Sequence, residues 1–389
     1  MNEILKRVSS FFMTSLFIIG KARAQPYLFK KFPKLQDQIP HISFCDLPTP
    51  IVKLERFGKH IGCENIFMKR DDLTGKVMED GSRLYGGNKP RKLEFLLADA
   101  VHKNARAVVT CGSAGSNHAV ATTVYAQLVG LQTILLLKPQ PNSHVVRQNL
   151  LLDYYYGAQL QSFADKQMRN AAFEALVQAD NFLYGIPAGG STPLGVLGFV
   201  NAAFELAEQI AHQEICEPDL LYVANGSCAT TAGLLLGIQA AALKTKVVAV
   251  CVEPEEFPDE FLVQIRALFH ATNELLHAAD ASFPLCEFPE QALTINKKFC
   301  GTRYGFATSD VVDVICMIEE TEQVRLEGTY SAKAIAALFD DAEQGIVQGK
   351  TILFWNTYCG LDFSAQANSI KYTSLPADFH SYFEEDVQP

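Results

Sequence analysis

Short apolar segments alternate with helix-forming segments along most of this 389-residue chain, and this alternation limits the fold more than any other feature. Five of the segments are rich in β-branched residues and leucine and have the length of buried strands. Alternation of this kind is typical of α/β proteins in which helices flank parallel sheets. The predicted strands are residues 107–111, 133–138, 220–224, 246–252 and 351–355.

The composition excludes several classes of protein. Hydrophobic residues make up 48% of the chain and charged residues 20%, so a disordered chain is excluded and a large buried core is expected. The 43 acidic residues outnumber the 33 basic ones, which argues against a nucleic-acid or anionic-membrane partner. No apolar run reaches the roughly 20 residues of a membrane span. The length predicts two domains or one large domain.

The cysteines and the first residues lead to opposite predictions about location. The ten cysteines form no CxxC pair and lack zinc-ligand spacing, which predicts reduced thiols, no metal site and a cytoplasmic protein. However, Lys6 and Arg7 precede an apolar stretch at residues 11–20, and residues 22–24 have the form of a signal cleavage site. We therefore treat residues 1–25 as an N-terminal extension, and an exported protein is the alternative to a cytoplasmic one.

Residues 86–94, Gly-Gly-Asn-Lys-Pro-Arg-Lys-Leu-Glu, are the most informative segment. Apolar residues recur from Leu93 onward with the spacing of one helix face, and Pro90 suits the first helical position. Lys89 is thereby expected at a helix N-terminus, where the positive field lowers the pKa of its amine. A neutral amine is what a Schiff base with a carbonyl compound or pyridoxal phosphate requires, whereas a solvated lysine at a helix start is the alternative.

Two further loops follow predicted strands, and in α/β sheets such loops hold the ligand. Residues 112–118, Gly-Ser-Ala-Gly-Ser-Asn-His, combine small residues with a helix start and can hold a carboxylate through backbone N–H groups. Residues 225–230, Asn-Gly-Ser-Cys-Ala-Thr, can hold a phosphate in the same way. Without a ligand, each loop would be an ordinary strand-to-helix turn.

The chain resembles the D-cysteine desulfhydrase and 1-aminocyclopropane-1-carboxylate deaminase family. The resemblance rests on residues 69–75 (Lys-Arg-Asp-Asp-Leu-Thr-Gly), 86–89 and 91–96, and it extends in segments from about residue 26 to residue 334. Members of this family are pyridoxal-phosphate enzymes with the tryptophan synthase β-like fold, and many are homodimers. We therefore expect pyridoxal 5'-phosphate as the cofactor and a homodimer.

The resemblance also implies the domain organisation. A large cofactor-binding domain is expected from residues 26–91 and 191–389. A smaller α/β domain, residues 92–190, is expected as an insertion, with the cofactor between the two domains. Residues 76–85 are an insertion relative to the family and are expected at the rim of the site.

Site residues are carried over from the matching motifs. In the family, the lysine that corresponds to Lys89 carries the cofactor, and the preceding Asn88 lies beside it. The Ser-Asn-Gln/His element that binds the substrate carboxylate corresponds to Ser116, Asn117 and His118. The serine is also expected near the reacting carbon, and the asparagine near the cofactor.

The remaining site residues come from two later segments. The resemblance implies a phosphate loop at Gly226, Ser227, Cys228, Ala229 and Thr230, although Cys228 and Ala229 replace two glycines of many fold relatives. Residues 328–334 resemble the family segment Asp-Pro-Val-Tyr-Thr-Gly-Lys-Ala, which implies that Tyr330 approaches the substrate and Ser331 faces the pyridine nitrogen. Tyr304 matches a second family tyrosine.

These residues imply a lyase or deaminase. The favoured reaction is α,β-elimination from D-cysteine, giving pyruvate, ammonia and sulfide, because Ser331 stands where the deaminases have glutamate. Deamination of 1-aminocyclopropane-1-carboxylate is the alternative within the class. A cofactor-binding protein without turnover is the alternative of another class, since residues 228–229 and 356–360 depart from the family pattern.

Overall fold

The computed structural model describes residues 25–257 and 259–387, so the signal-like residues 1–24 lie outside the described part of the chain. Within that part, ten strands form the two sheets. They are β1 Ile51–Lys53, β2 Ile66–Arg70, β3 Ala107–Ser113, β4 Gln132–Lys138, β5 Gln159–Ser162, β6 Leu183–Ile186, β7 Leu220–Asn225, β8 Lys246–Cys251, β9 Leu293–Asn296 and β10 Ile352–Asn356.

Helices surround both sheets. In the described ranges they are α1 Tyr27–Lys31, α2 Leu35–Gln38, α3 Glu55–His60, α4 Lys89–His102, α5 Asn117–Leu128, α6 His144–Tyr155, α7 Lys166–Ala179, α8 Pro193–Ala211, α9 Ala229–Ala240, α10 Glu260–Ala279, α11 Ser309–Glu322, α12 Ser331–Glu343, α13 Ser364–Asn368 and α14 Ser381–Glu384. Short 3-10 turns lie at Asp71–Leu73, Ala188–Gly190, Glu290–Ala292, Tyr372–Ser374 and Ala377–Phe379.

The sheet topology confirms the predicted α/β class. The larger sheet has the order β1-β2-β10-β7-β8-β9, and the smaller one has the order β5-β4-β3-β6. All pairings are parallel except that of β1 with β2 at the edge of the larger sheet. The five predicted strands correspond to β3, β4, β7, β8 and β10. The five that the apolar pattern did not predict are only three to five residues long.

The two sheets take their strands from different parts of the chain. Every strand of the smaller sheet lies between residues 107 and 186, within the range predicted for the inserted domain. The larger sheet takes β1 and β2 from the chain before this stretch and its other strands from the chain after it. The domain boundaries at residues 91 and 191 stay a prediction.

Helix α8, Pro193–Ala211, lies at the centre of the larger core. Its side chains pack with those of α4, α9 and α10, and with Trp355 of β10. By length and composition alone this helix is apolar enough to cross a membrane, yet 72% of the stretch is buried inside the protein. Helices that are hydrophobic on all sides are also found in the cores of large proteins.

A buried network of charges joins five elements beneath the start of α4. The guanidinium of Arg91 donates to Asp71 at 2.7 Å and to Glu205 at 2.8 Å. The ammonium of Lys69 donates to the same Glu205 at 2.6 Å, and the indole of Trp355 donates to Asp71 at 2.7 Å. The four charged side chains have no exposed surface, and two cations balance two carboxylates.

We expect Glu205→Gln to lower the free energy of unfolding by about 3–5 kcal/mol, because Arg91 and Lys69 would share one carboxylate in a dry environment. Glu208→Gln on the exposed side of the same helix is the matched control. Urea midpoints of the two variants beside wild type measure the difference. Equal midpoints for the two variants would show that the network contributes no stability.

Candidate active site

A cavity of about 510 Å3 opens at the carboxyl ends of strands from both sheets. The three loops that the sequence predicts as ligand loops all contribute to its wall. Eleven of the thirteen predicted site residues line it, namely Asn88, Lys89, Ser116, Asn117, His118, Gly226, Ser227, Cys228, Thr230, Tyr304 and Tyr330. The other two, Ala229 and Ser331, lie fully buried.

The backbone of the loop before α4 fixes the position of Lys89. Gly87 adopts φ +85°, and a Cβ atom there would lie 2.8 Å from the carbonyl oxygen of Thr357. The N–H of Gly87 donates to the carbonyl of Asp71 at 2.8 Å, and that of Asn88 donates to the carbonyl of Thr357 at 3.0 Å. Because glycine alone tolerates this conformation and approach, the Gly-Gly-Asn-Lys segment places the lysine at the helix start.

Burial determines the ionisation of Lys89. The surrounding protein lowers the pKa of its amine from 10.5 to about 8, and the carboxylate of Glu327 partly opposes this shift. The expected direction is therefore correct, but desolvation is the main cause, rather than the field of the helix N-terminus. The amine lies 5.9 Å from the ring centre of Tyr330.

Hydrogen bonds to Ser116 and Asn117 fix the turn before α5. The hydroxyl of Ser116 accepts from the N–H of Ala119 at 3.2 Å and so caps the helix. The Oδ1 atom of Asn117 accepts from the Tyr85 hydroxyl at 3.1 Å and from Asn149 Nδ2 at 2.9 Å. Tyr85 belongs to the insertion at residues 76–85, so the insertion stabilises this turn through a hydrogen bond. Its residues are not part of the cavity wall.

His118 lines the cavity as a neutral imidazole whose one N–H donates to Thr110. Thr110 donates its hydroxyl proton to the carbonyl of Ile186, so it accepts from Nε2 of His118 at 3.1 Å. Nδ1 of His118 is buried without a hydrogen-bond partner among the described residues. Burial lowers the pKa of the imidazole well below its usual value, and the nearby Lys89 and Lys92 lower it further.

The predicted phosphate loop keeps Gly226 but has Cys228 at a position where the backbone conformation favours glycine. Cys228 lies in the left-handed region at φ 64°, directly before α9. Its thiol is within 3.4 Å of Gln264 Oε1. Gly189, at φ +69°, lets the loop approach, because a Cβ there would lie 2.1 Å from Ser227 Oγ. Asn88 Nδ2 donates to Thr230 Oγ1 at 3.1 Å and so connects this loop to the lysine loop.

Two tyrosines and one carboxylate complete the wall near Lys89. The hydroxyls of Tyr304 and Tyr330 lie 2.8 Å apart, and burial raises the pKa of both phenols. The carboxylate of Glu327 accepts from the N–H groups of Thr329, Tyr330 and Ser331 at 2.8–3.0 Å. The hydroxyl of Ser331 accepts from the backbone of Glu327 at 3.2 Å, behind the cavity wall.

Some residues of the wall were not predicted. They include Glu327, Lys138, Arg169 and Tyr358. Glu327 directly precedes residues 328–334 and stands where the family segment has its aspartate. This correspondence could have identified Glu327 from the sequence. Arg169 belongs to a helix without any recognised motif, so the sequence alone gave no reason to single it out.

Comparisons with known proteins agree with this geometry. The sequence profile of the pyridoxal-phosphate dependent enzyme family matches residues 42–357, and the chain belongs to this family. It is 33% identical to the D-cysteine desulfhydrase of Serratia proteamaculans (strain 568) over 329 residues, or 82% of this chain and 94% of the relative. It is 31% identical over 337 residues to a Pyrococcus furiosus protein provisionally named 1-aminocyclopropane-1-carboxylate deaminase, covering 84% of this chain and 94% of the relative.

A solved structure supports the fold. The crystal structure of an ACC deaminase homologue, 31% identical, superposes with a TM-score of 0.71 over 89% of this chain and 99% of its own. The tryptophan synthase β-like fold and the cofactor class are thus confirmed. The described residues fit pyridoxal phosphate, because Lys89 offers an amine of lowered pKa and the loop before α9 offers a helix N-terminus for the phosphate.

We expect the cofactor-free chain to attach pyridoxal phosphate faster as the pH rises to about 8, and at a constant rate above that. Only the neutral amine of Lys89 reacts, and its fraction falls tenfold for each pH unit below its pKa of about 8. Stopped-flow absorbance measures this rate, with a free lysine derivative as the control for titration of the cofactor itself. A rate that still rises towards pH 10 would contradict the lowered pKa.

Proposed function

We propose that this chain eliminates the β-substituent of a small amino acid and that D-cysteine is the substrate, giving pyruvate, ammonia and sulfide. The observation that carries the proposal is the group formed by Lys89, Tyr330 and Tyr304 in one cavity. A buried amine beside two hydrogen-bonded phenols provides a base and proton donors for an elimination. The identity to the Serratia D-cysteine desulfhydrase supports the choice of substrate.

In this proposal each residue of the cavity has a chemical task. When bound, pyridoxal phosphate withdraws electrons from the α-carbon of the amino acid attached to it. Lys89 would hold the cofactor, and its amine would become free to take the α-proton once the amine of the substrate has replaced it. The Cβ–S bond would then break, with its electron pair leaving on sulfur. Tyr330 remains protonated at neutral pH, because burial raises the pKa of its phenol, and it can therefore donate a proton.

The substrate carboxylate has its own binding turn in this proposal. The Nδ2 group of Asn117 has no hydrogen-bond partner among the described residues, so it is available to a ligand. The neighbouring Ser116 and His118 also line the cavity, but the one N–H of neutral His118 already donates to Thr110, so His118 has no proton left for the carboxylate. A carboxylate held at this helix start would interact favourably with the N-terminus of α5.

We expect the purified wild-type protein with pyridoxal phosphate to show a visible absorption band that borohydride removes, and Lys89→Ala to lack it. The variant should also lose at least about a thousandfold in pyruvate formation from D-cysteine, because one residue is both anchor and base. Lys103→Ala, at the exposed end of the same helix, is the matched control.

The outcomes of this experiment separate the candidate functions. A band without pyruvate from any D- or L-amino acid would favour a cofactor-binding protein without turnover. A band in Lys89→Ala equal to that of wild type would contradict the assignment of the lysine. Activity with L-cysteine alone would retain the elimination and overturn the proposed chirality.

Deamination of 1-aminocyclopropane-1-carboxylate is the second candidate. The observation that favours it is the carboxylate of Glu327 in the cavity wall, since a carboxylate near the cofactor ring would strengthen the electron sink that ring opening needs. The provisional name of the Pyrococcus relative points the same way.

We expect wild type to form 2-oxobutanoate from 1-aminocyclopropane-1-carboxylate more slowly than it forms pyruvate from D-cysteine, and Glu327→Gln to lower the ring opening further. Ser331 lies behind the cavity wall and does not face the ring, so Glu327 is the carboxylate to test. The amide keeps the size of the side chain and removes the charge that would strengthen the electron sink. Glu320→Gln, at an exposed residue, is the control. Wild-type ring opening faster than D-cysteine turnover would reverse the order of the two candidates.

A cytoplasmic location belongs to the same proposal. All ten cysteines are free thiols, and thiols persist in reducing compartments. The exported alternative depends on residues 1–24, which lie outside the described residues. The homodimer implied by the family resemblance stays a prediction.

A further inference from the structure

Arg169 is a buried cation in the wall of the active-site cavity without a carboxylate partner. It lies in the first turn of α7 and is 5% exposed. Its Nη1 donates to the carbonyl of Gly112 at 3.0 Å, and its Nε and Nη2 donate to Asn170 Oδ1 at 3.2 and 2.7 Å. None of the ion pairs found among the described residues includes it.

A second cation lies close to it. Lys138 ends strand β4, in register with Ser113 of β3, and its ammonium is 5.7 Å from the ring centre of Tyr304. Burial lowers the pKa of this ammonium, the carboxylate of Glu253 raises it, and the charge of Arg169 lowers it further. The two cations therefore repel each other beside one tyrosine.

In the described part of the chain, none of the carboxylates near Arg169 neutralises its charge. Glu256 pairs with Lys166 at 2.6 Å, and Glu253 faces Lys138. The cavity wall also contains Glu174 and Glu260, and neither lies within ion-pair distance of the guanidinium. A buried charge without a counter-ion is costly, so an anion beside Arg169 would relieve a penalty that the protein alone leaves in place.

The two tyrosines connect this cation pair to the lysine. The amine of Lys89 lies 5.9 Å from the Tyr330 ring centre, the ring centres of Tyr330 and Tyr304 are 6.0 Å apart, and the ammonium of Lys138 lies 5.7 Å from the Tyr304 ring centre. An amino acid attached near Lys89 whose side chain followed the two tyrosines would bring the end of that side chain to the cations.

We propose that Arg169, assisted by Lys138, binds an anionic group at the far end of the substrate side chain. This inference rests on the proposed function, because it refines the substrate class of the same site. Besides D-cysteine, the substrate class then includes small amino acids whose side chain ends in a carboxylate or another oxyanion. For D-cysteine itself, the sulfur would carry the charge only as it leaves.

The test uses binding, so it does not depend on elimination. The holoenzyme is titrated with D-glutamate and with D-glutamine, which differ in charge and hardly in shape, and the change in the visible absorption band gives each dissociation constant. Wild type should bind D-glutamate at least tenfold more tightly than D-glutamine. Arg169→Gln should remove this preference, and Arg169→Lys should keep part of it.

The controls separate the anion subsite from other roles of the arginine. Arg106→Gln makes the same change just before the opposite end of strand β3, at an exposed residue, and should leave the preference unchanged. The D-cysteine assay is run on the same proteins. If wild type prefers D-glutamate but does not turn over D-cysteine, the proposed reaction is wrong and the anion subsite is still supported.

Four results would overturn the subsite. The first is equal binding of the two ligands, or binding of neither, by wild-type holoenzyme. The second is a preference that survives in Arg169→Gln. The third is an equal loss of affinity for both ligands in this variant, which would assign the arginine to the α-carboxylate. The fourth is a loss of affinity for pyridoxal phosphate, which would assign it to the cofactor phosphate.

Discussion

The guanidinium of Arg91 lies between the carboxylates of Asp71 and Glu205, and no side-chain atom of the three reaches solvent. Burial alone would raise the pKa of Glu205, but Arg91 and Lys69 lower it to about 2, so the carboxylate stays charged. Such a network is satisfied only in one arrangement of its elements. Lys89 is two residues from Arg91, so the arrangement that neutralises these charges also determines where the reactive amine lies.

The lysine loop depends on the same region. The carbonyl of Asp71 accepts from Gly87, and the turn after β10, at Thr357, accepts from Asn88. The two sheets contribute the other walls, since the turn at residues 112–118 comes from the smaller sheet and the phosphate loop from the larger one. The cavity therefore exists only when both sheets are in place, which explains why its residues are far apart in the chain.

The structure accommodates two cysteines, Cys228 and Cys359, that depart from the family pattern. Cys228 takes the left-handed conformation that a glycine would favour, and its buried thiol lies near Asn225, Gly226 and Gln264. Such a conformation costs a non-glycine residue about 1–2 kcal/mol. Cys359, in the altered turn after β10, accepts from the N–H of Gly86 at 3.1 Å. Both substitutions are thus accommodated at the two loops nearest the proposed cofactor.

The sequence by itself determined the class of fold, five of the ten described strands and the three ligand loops, because periodicity and loop chemistry are local properties. The tertiary structure alone decided that burial lowers the pKa of Lys89 and that Glu327 rather than Ser331 lines the cavity. It also decided that Arg169 has no counter-charge among the residues that the structure describes. These facts depend on which groups surround a side chain and how much water they exclude. Neither quantity can be read from neighbours along the chain.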